Sequence, residues 1–326
     1  MKTKILTMLR GKQDYVSGQQ LCDFLGVSRT AVWKVIGQLK EEGYEIEAVK
    51  NKGYKLVKVP DILSESELES RICTKWAGRV VHYFDETGST NNDCRRFMEE
   101  GAPHGVLVVA DMQKAGKGRR GRTWISPPGT VIAMSIGLRP DFLPDQASRL
   151  TLVMALAVCK TVEDTTGLAA GIKWPNDIVV NRKKVCGILT EMSAERDYID
   201  NVIIGVGINV NQTDFDEEIA KTATSLRLEC GCVQNRASIV QKVMDYFEVY
   251  YEEFVKTCDL SAIMKEYNEK LVNRDAQVRV LDPKGAFDGV AHGINDAGEL
   301  IVTKEDGSDV AVYAGEISVR GIYGYV

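Results

Sequence analysis

The twelve-residue stretch "QKAGKGRRGRTW", from Gln113 to Trp124, holds five basic residues and three glycines. Arginine offers forked donors that fit phosphate and carboxylate oxygens, and glycine lets backbone N–H groups approach a ligand closely. The stretch lies in a chain of 326 residues whose formal net charge is −5. Three interpretations compete: a nucleic-acid patch, a loop that encloses a small anion, and a solvated basic linker.

The common phosphate-binding patterns do not account for this loop. A Walker A loop needs GxxxxGK[ST], and a dinucleotide-binding GxGxxG must open a helix inside a βαβ unit. Three further polar segments accompany the loop: "TGSTNND" at 87–93, "IKWPNDIVVNRKKVCGIL" at 172–189 and "GVGINVN" at 205–211. Taken alone, the first of them is also typical of a helix cap.

The elements before the loop begin with a separate unit at residues 1–60. The segment "SGQQLCDFLG" has Gln20 three residues after Ser17, which predicts a capping box, and Gly26 ends this helix. "SRTAVWKVIGQLKEEG" predicts a second helix that starts at Ser28, because its apolar residues recur at helical spacing. A short amphipathic helix precedes this pair, and alternating segments around "KNKG" follow it. The pattern predicts a winged helix-turn-helix.

Charge points to the partner of this unit. Residues 1–60 contain eleven Lys and Arg against six Asp and Glu, a net charge of +5 in a chain that is −5 overall. A basic head on an acidic body indicates a polyanion, and the second helix of such a unit enters the DNA major groove. Contact with another protein is the alternative use. The predicted DNA contacts are Ser28, Arg29, Thr30, Trp33 and Lys34, with Lys50, Lys52 and Lys55 of the wing near phosphates.

The pattern of residues 66–271 predicts a mixed α/β domain, which contains the basic loop and the three polar segments that accompany it. "GVLVVA", "TVIAMSIGL" and "NVIIGVGINVNQ" predict strands, and "DIVVNRKKVCGILTEM" predicts strand, turn and strand. The segment at 145–167 is apolar nearly all round and predicts a buried helix, and two helices are expected at about 236–256 and 259–271. Residues 272–326 are short alternating segments between Gly, Asp and Asn turns, which predicts a small β-barrel. The fold class is therefore α+β and multidomain.

Composition removes several classes of function. No run approaches the roughly 20 apolar residues that span a bilayer, and the N-terminus lacks a signal peptide pattern, so a cytoplasmic protein is expected. The eight cysteines form no CxxC pair, and only Cys230 and Cys232, in "ECGC", lie close in sequence. With three histidines in the chain, no zinc site is expected, and the cysteines are interpreted as small reduced apolar residues.

Five short segments together are similar to the motifs of one known family. They are "GSTN", "GKGRRGRTW", "KWPNDI", "KKVCGIL" and "GVGINVN". Their order and spacing resemble the bifunctional biotin–protein ligases that also act as biotin-operon repressors. The winged helix ahead and the small barrel behind, ending in "GEISVR", match the same family, and the resemblance covers nearly the whole chain. It implies an SH3-like barrel at the C-terminus and ATP with Mg²⁺ as co-substrate and ion.

The resemblance implies a reaction in two steps. Biotin and ATP form biotinyl-5′-AMP, and a lysine of a biotin carboxyl carrier domain then takes the biotinyl group. The intermediate also acts as corepressor, promoting a homodimer that binds operator DNA. Among the implied residues, Lys184 and Arg119 are catalytic, and Gly205 and Gly207 allow close approach of the ligand. The implied biotin contacts are Ser89, Thr90, Asn91, Gln113, Gly116, Lys117, Gly118, Arg119, Lys184 and Gly205. The implied ATP and adenylate contacts are Arg119, Arg120, Arg122, Trp124, Asn176 and Asn209.

One position departs from the family, and two other functions stay open. The family loop commonly reads Gly-Arg-Gly-Arg-Arg-Gly, whereas position 117 here is lysine, which keeps the charge but loses the forked geometry. No acidic cluster identifies Mg²⁺ ligands. The alternatives are a transcription factor that senses a ligand without catalysis, and a lipoate or octanoate ligase of related fold.

Overall fold

A computed structural model describes residues 1–195, 198–282, 285–314, 318–321 and 325. The N-terminal unit contains α1 (Lys2–Arg10), α2 (Gly18–Leu25) and α3 (Arg29–Glu41), followed by the antiparallel strands β1 (Glu45–Val49) and β2 (Gly53–Lys58). The capping box of Ser17 and Gln20 is present, and Gly26 ends α2 with a φ of 66°. The predicted helix, turn, helix and hairpin are thus confirmed. This unit has a core of its own, which includes Ile5, Leu6, Leu9, Leu21, Val32, Ile36 and Leu39.

The central region follows as α4 (Glu65–Arg71), β3 (Val81–Thr87), α5 (Thr90–Glu99), β4 (Val106–Lys117), β5 (Thr123–Ser126) and β6 (Val131–Leu138). It continues as α6 (Leu150–Thr166), β7 (Ala170–Lys173), β8 (Asp177–Val180), β9 (Lys183–Glu195) and β10 (Tyr198–Asn209). The last helices are α7 (Glu217–Ala220), α8 (Leu226–Cys230), α9 (Arg236–Thr257) and α10 (Met264–Lys270). The helix expected at 145–167 starts only at Leu150, because the residues from Pro144 to Arg149 form a tighter 3₁₀ turn.

The central strands form one eight-stranded sheet with the order β3-β4-β6-β10-β9-β8-β7, and β5 pairs with β4. Only β3 and β4 run parallel within it. Val106 and Val108 face α5, whereas Leu107 and Val109 belong to the core that α6 and α9 cover on the other face. Helices therefore cover both faces of the sheet, and the long strands are apolar on both sides. These buried strands hold the polar residues at their ends in fixed positions.

The C-terminal strands are β11 (Ala276–Leu281), β12 (Phe287–Ile294), β13 (Leu300–Lys304), β14 (Asp309–Val312) and β15 (Ser318–Gly321). They form an antiparallel sheet with the order β14-β13-β12-β11-β15. Within the described ranges this sheet is open, because no pairing joins β14 to β15, so the predicted barrel closure is not observed. The segment "GEISVR" lies partly outside the described residues. The sheet shares one buried core with the central region, and the Trp174 indole N–H donates to the Gly298 carbonyl at 3.1 Å.

A buried carboxylate joins the N-terminal unit to the central region. Glu67 on α4 is fully buried and accepts a hydrogen bond of 2.6 Å from the Tyr44 hydroxyl. The guanidinium groups of Arg10 and Arg71 also donate to Glu67. Arg10 comes from α1, so the charge pair crosses between the two regions. An isolated buried carboxylate is costly, and these three donors compensate for its lost hydration.

Candidate ligand site

The polar segments that are far apart in sequence meet at one cavity. The cavity lies over β4, β9 and β10 and beside the first turn of α5. Its lining residues are Ser89, Thr90, Asn91, Gln113, Lys117, Gly118, Arg119, Trp124, Met134, Asn176, Lys184, Gly187, Ile188, Leu189, Gly205, Val206 and Gly207. Nine of the ten residues predicted to contact biotin are among them. Gly116 is the exception; it is packed against β5, and a Cβ there would lie 2.5 Å from the Trp124 carbonyl oxygen.

A second cleft of roughly 630 Å³ adjoins the first. The two cavities share Gly118, Arg119, Trp124, Asn176 and Lys184. All six residues predicted for the nucleotide line the second cleft, which also contains Lys173, Asp177, Arg320 and Tyr325. The structure thus divides the predicted site into two compartments, with the two predicted catalytic residues at their junction.

A network of short polar side chains closes one end of the first cavity. Ser89 is the residue before α5, and its hydroxyl makes no capping bond. Gln113 Oε1 accepts from the Thr90 N–H at 2.8 Å and from its hydroxyl at 3.1 Å. The Ser135 hydroxyl, on β6, lies 2.6 Å from Asn91 Oδ1. These groups are oriented by one another and form a polar end suited to a ligand that both donates and accepts hydrogen bonds.

The two glycines of β10 allow close approach, although their nearest neighbours in the structure are protein side chains. A Cβ at Gly205 would lie 2.2 Å from Asn91 Oδ1, and a Cβ at Gly207 would lie 2.4 Å from the Trp124 ring. Glu191 Oε2 accepts from Asn91 Nδ2 at 2.8 Å, a contact that the sequence did not indicate. Glycine at both positions therefore leaves room for the amide and the indole that line the cavity.

The basic loop is the end of a β-hairpin formed by β4 and β5. β4 and β5 pair through Gly116 and Trp124, and the Gly118 N–H donates to the Arg122 carbonyl at 2.7 Å. Arg120 at its tip has a φ of 59°. Lys117 Nζ, where the family has arginine, lies 3.5 Å from Asn92 Oδ1. The hairpin thus places its basic side chains along both cavities.

Arg119 connects the loop to two other regions of the molecule. Its guanidinium donates to Asn176 Oδ1 at 2.9 Å and to the carbonyl of Ala314, which follows β14, at 2.7 Å. Burial lowers the pKa of Arg119 from its usual value, and the carboxylate of Asp177 opposes this shift. An arginine remains charged in such surroundings, so a desolvated cation lies between the two cavities.

Lys184 and Asp177 form the second charged element of this junction. Lys184 Nζ lies 2.6 Å from Asp177 Oδ1 and 5.7 Å from the centre of the Trp124 ring. The Tyr325 hydroxyl donates to Asp177 Oδ2 at 2.5 Å. Burial lowers the pKa of the neighbouring Lys173 to about 8. Lys173 and Asp177 were not among the predicted contacts, although both belong to the quoted "KWPNDI" segment.

Two further residues predicted to contact the nucleotide, Asn209 and Trp124, have polar atoms buried within the protein. Asn209 Nδ2 donates to the Thr224 carbonyl at 3.1 Å, so its amide is oriented by the segment after β10. Trp124 Nε1 is buried and has no hydrogen-bond partner within the part of the chain that the structure describes. Among those same residues, no group of three or more His, Cys, Asp or Glu side chains that could hold a metal was found.

Helix α3, the second helix of the helix-turn-helix pair, presents an exposed face. Thr30, Trp33 and Lys34 are exposed, and 70% of the Trp33 surface is accessible. The Ser28 hydroxyl accepts from the Ala31 N–H and so caps α3, and Arg29 donates to Gln19 Oε1 at 2.9 Å. Ser28 and Arg29 are exposed as well, although each already has one hydrogen bond within the unit.

Comparisons with known protein families match three separate ranges of the chain. Residues 83–209 match the biotin/lipoate A/B protein ligase family, residues 2–55 match a helix-turn-helix domain, and residues 276–320 match the biotin protein ligase C-terminal domain. These matches define the class: a ligase domain with a DNA-binding domain before it and the ligase family's own C-terminal domain after it. No helix in the described ranges is long and apolar enough to cross a membrane.

Individual relatives narrow the class. The chain is 42% identical over 308 residues to the bifunctional ligase/repressor BirA of Bacillus subtilis, covering 94% of each protein. It is 27% identical over 321 residues to BirA of Escherichia coli, covering 97% of this chain and 96% of that one. A biotin protein ligase from Aquifex aeolicus in complex with biotin and ATP superimposes with a TM-score of 0.66 at 29% identity, covering 74% and 99% of the two chains. The chain belongs to the BirA family of bifunctional biotin–protein ligases and repressors.

Proposed function

We propose that this protein is a biotin–protein ligase that also represses transcription when it holds biotinyl-5′-AMP. The observation that carries this proposal is the pair of adjoining cavities that meet at Arg119 and Lys184. A ligase that joins two ligands needs two compartments with cations between them, because the reacting carboxylate and phosphate are both anionic. The relatives named as ligase/repressors support the same assignment.

In the first step, a carboxylate oxygen of biotin forms a bond to the α-phosphorus of ATP. The bond to the bridging oxygen of the β-phosphate breaks, and pyrophosphate leaves. Lys184 and Arg119, at the junction, stabilise the negative charge on the transferring phosphoryl group. In the second step, the neutral amine of an acceptor lysine attacks the carbonyl carbon of the anhydride. An amide forms, AMP leaves, and the amine proton is released.

The lining of the two compartments supports a role for each of the remaining residues. We infer that Ser89, Thr90, Asn91 and Gln113 hold the polar ring system of biotin, with Gly205 allowing its approach. Along the first cavity, Lys117 and Gly118 follow the biotin side chain. On the nucleotide side, the contacts are Arg120, Arg122, Trp124, Asn176 and Asn209. Asp177, which lines the nucleotide cleft, would supply a carboxylate to Mg²⁺ bound to the ATP phosphates, since this ion keeps several waters and is held by one or two carboxylates.

For repression, we propose that residues 1–60 bind operator DNA through the start of α3, with the wing lysines near phosphates. The proposed contacts are Ser28, Arg29, Thr30, Trp33 and Lys34. Residues 66–271 form the ligase domain, and residues 272–326 complete an SH3-like barrel. Biotinyl-5′-AMP orders the loop from Lys117 to Trp124 and promotes a homodimer in the cytoplasm that reads two half-sites. Biotin carboxyl carrier domains consume the adenylate, and they therefore oppose formation of the DNA-binding homodimer.

The direct test is mass spectrometry of an acceptor carrier domain incubated with the purified protein, biotin and MgATP. We expect the acceptor to gain one biotinyl group, and the free protein to retain biotinyl-5′-AMP when no acceptor is present. An unmodified acceptor would favour a ligand-sensing transcription factor. Equal labelling from biotin and lipoate in a competition would favour the lipoate ligase alternative.

A gel-shift titration tests the repressor half. DNA fragments selected from a random pool are titrated with protein in the presence and absence of biotin and MgATP. We expect at least tenfold tighter binding with both ligands present, because the adenylate promotes the dimer. Binding that ignores biotin would contradict the switch without affecting the ligase assignment.

A further inference from the structure

Cysteines occur in two kinds of surroundings in this protein. Cys22, Cys94, Cys159 and Cys186 are buried. Burial raises the pKa of the Cys94 and Cys159 thiols to about 12, which keeps them protonated and unreactive. The accessible or partly accessible cysteines are Cys73, Cys230, Cys232 and Cys258. Any thiol chemistry at neutral pH therefore belongs to this second group.

Within the second group, Cys230 and Cys232 form a pair. Their sulfur atoms lie 3.7 Å apart. Cys230 is the last residue of α8, and Gly231 ends that helix with a φ of 76°. A Cβ added at Gly231 would meet nothing within 4 Å, so the space beside this residue of the turn is open. Closing a disulfide requires an S–S distance of about 2.05 Å, which needs only a local adjustment of this turn.

A side-chain amide holds both sulfurs on the same side of the turn. Gln234 Nε2 lies 3.2 Å from the sulfur of Cys230 and 3.2 Å from that of Cys232. The hydrogen bond with Cys230 raises the pKa of Cys232, and the amide donor of Gln234 opposes this shift by favouring its thiolate. The arrangement therefore supplies two neighbouring thiols and a donor for the thiolate that must form first.

We propose that Cys230 and Cys232 form a dithiol site that exchanges with low-molecular-weight disulfides such as oxidised glutathione and closes to an intramolecular disulfide. One protein thiolate attacks a sulfur of the small disulfide, and one small thiolate leaves. The second protein thiolate attacks the resulting mixed disulfide, and the other small thiolate leaves. The protein loses two protons and two electrons, and the small disulfide is reduced to two thiols.

The site is separate from the ligase chemistry. Neither cysteine lines the two ligand cavities. The Gln234 N–H donates to Asn211 Oδ1 at 2.9 Å, a backbone contact that attaches the turn to the segment after β10 without using either sulfur. Serine variants at the two cysteines are therefore expected to leave biotinylation unchanged. Failure of the dithiol proposal and failure of the proposed function are then distinguished in one set of samples.

The experiment is peptide mass spectrometry on the reduced full-length protein after equilibration with oxidised glutathione. We expect the peptide that contains both cysteines to lose the mass of two hydrogens. The variants Cys230→Ser and Cys232→Ser should instead carry one glutathione on the remaining thiol. Cys73→Ser, which removes an exposed single cysteine, is the matched control and should close as the parent does.

Two outcomes would overturn the proposal. The first is a parent protein that keeps glutathione on Cys230 or Cys232 without closing. The second is closure in the folded protein that is no faster than in the same chain unfolded in urea, because the folded geometry would then contribute nothing. The variant Gln234→Leu is expected to close severalfold more slowly, and an unchanged rate would remove the amide from the proposal.

Discussion

The winged helix-turn-helix and the loop from Gln113 to Trp124 are both basic, but their charges lie in different surroundings. Thr30, Trp33 and Lys34 of the first region are exposed and project from one helix face. In the loop, Arg119 is bound to Asn176 and to the Ala314 carbonyl, and burial lowers its pKa. One region presents its charge to solvent, and the other holds hydrogen-bonded charge at a cavity.

This difference corresponds to two kinds of anion. A nucleic acid is a long array of phosphates with a counterion atmosphere, so exposed cations bind it by releasing counterions, and salt weakens the binding. A single adenylate has few charges, and binding it requires oriented donors in surroundings where water screens less. The number of basic residues in a segment therefore does not reveal its ligand, whereas the surroundings of those residues do.

The largest effect is expected at the junction of the two cavities. Lys184→Ala should lower the rate of adenylate formation by roughly 100- to 1000-fold, the usual cost of one preorganised charge donor. Pyrophosphate exchange measures this rate. Lys183→Ala is the matched control, because Lys183 is the exposed neighbour on the same strand and does not line either cavity.

The effect of Lys184→Ala should be confined to the ligand site and should not reach the DNA-binding unit. Lys184→Ala should retain the DNA affinity of the ligand-free protein, since the variant leaves residues 1–60 unchanged. Near-normal pyrophosphate exchange in Lys184→Ala would refute its catalytic role. An equal loss in Lys183→Ala would show that general positive charge, rather than position, matters.

A smaller effect is expected in the salt dependence of DNA binding. Lys34→Ala should reduce the slope of log affinity against log salt concentration by about 1, the contribution of one phosphate contact. Arg122→Ala should leave the slope unchanged, because the loop faces the ligand cavity. Titrations at several salt concentrations, on protein saturated with adenylate, measure both slopes. A reduced slope in Arg122→Ala would mean that the loop also contacts DNA.

The smallest effect is a titration at Lys173. Burial lowers its pKa from the ordinary 10.5 to about 8, so its charge in the nucleotide cleft is lost as the pH rises through 8. We expect MgATP affinity to fall about fivefold between pH 7 and 9, since a charge pair 4 Å apart is worth about 1 kcal/mol in water. Calorimetric titrations of Lys173→Met should lack this step. Lys265→Met, which changes an exposed lysine outside both cavities, should keep it.

The same shift has a consequence for stability. The unfolded chain binds the proton of Lys173 more tightly than the folded chain does. The contribution of this group to the free energy of unfolding therefore rises with pH between about 8 and 10.5. Lys173→Met removes this rise, and urea titrations across that range measure it. Parent and variant curves that stay parallel would contradict the lowered pKa.

Local patterns predicted most of the elements, and long-range contacts account for what was missed. The capping box at Ser17 and the apolar periodicity of α3 are properties of neighbouring residues, so the sequence reveals them directly. The local pattern does not reveal the roles of Asp177 and Lys173. Asp177 contacts Lys184 across the pair of adjacent strands, and Lys173 contacts Tyr325, which is far along the chain. The closure of a C-terminal barrel, likewise, depends on strand pairing that spacing alone does not specify.

The sequence by itself determined the winged helix-turn-helix, the basic glycine-rich loop and the five linked segments of the family. Hydrophobic period, capping residues and glycine positions act over a few residues, and they carry this information without the fold. Only the tertiary structure decided that the site is two cavities, that Arg119 reaches the Ala314 carbonyl, and that Asp177 pairs with Lys184. Arg119 and Ala314 are distant in sequence, whereas Asp177 and Lys184 lie on adjacent paired strands. The energies of both contacts depend on burial, which arises only when the sheet and its helices have packed.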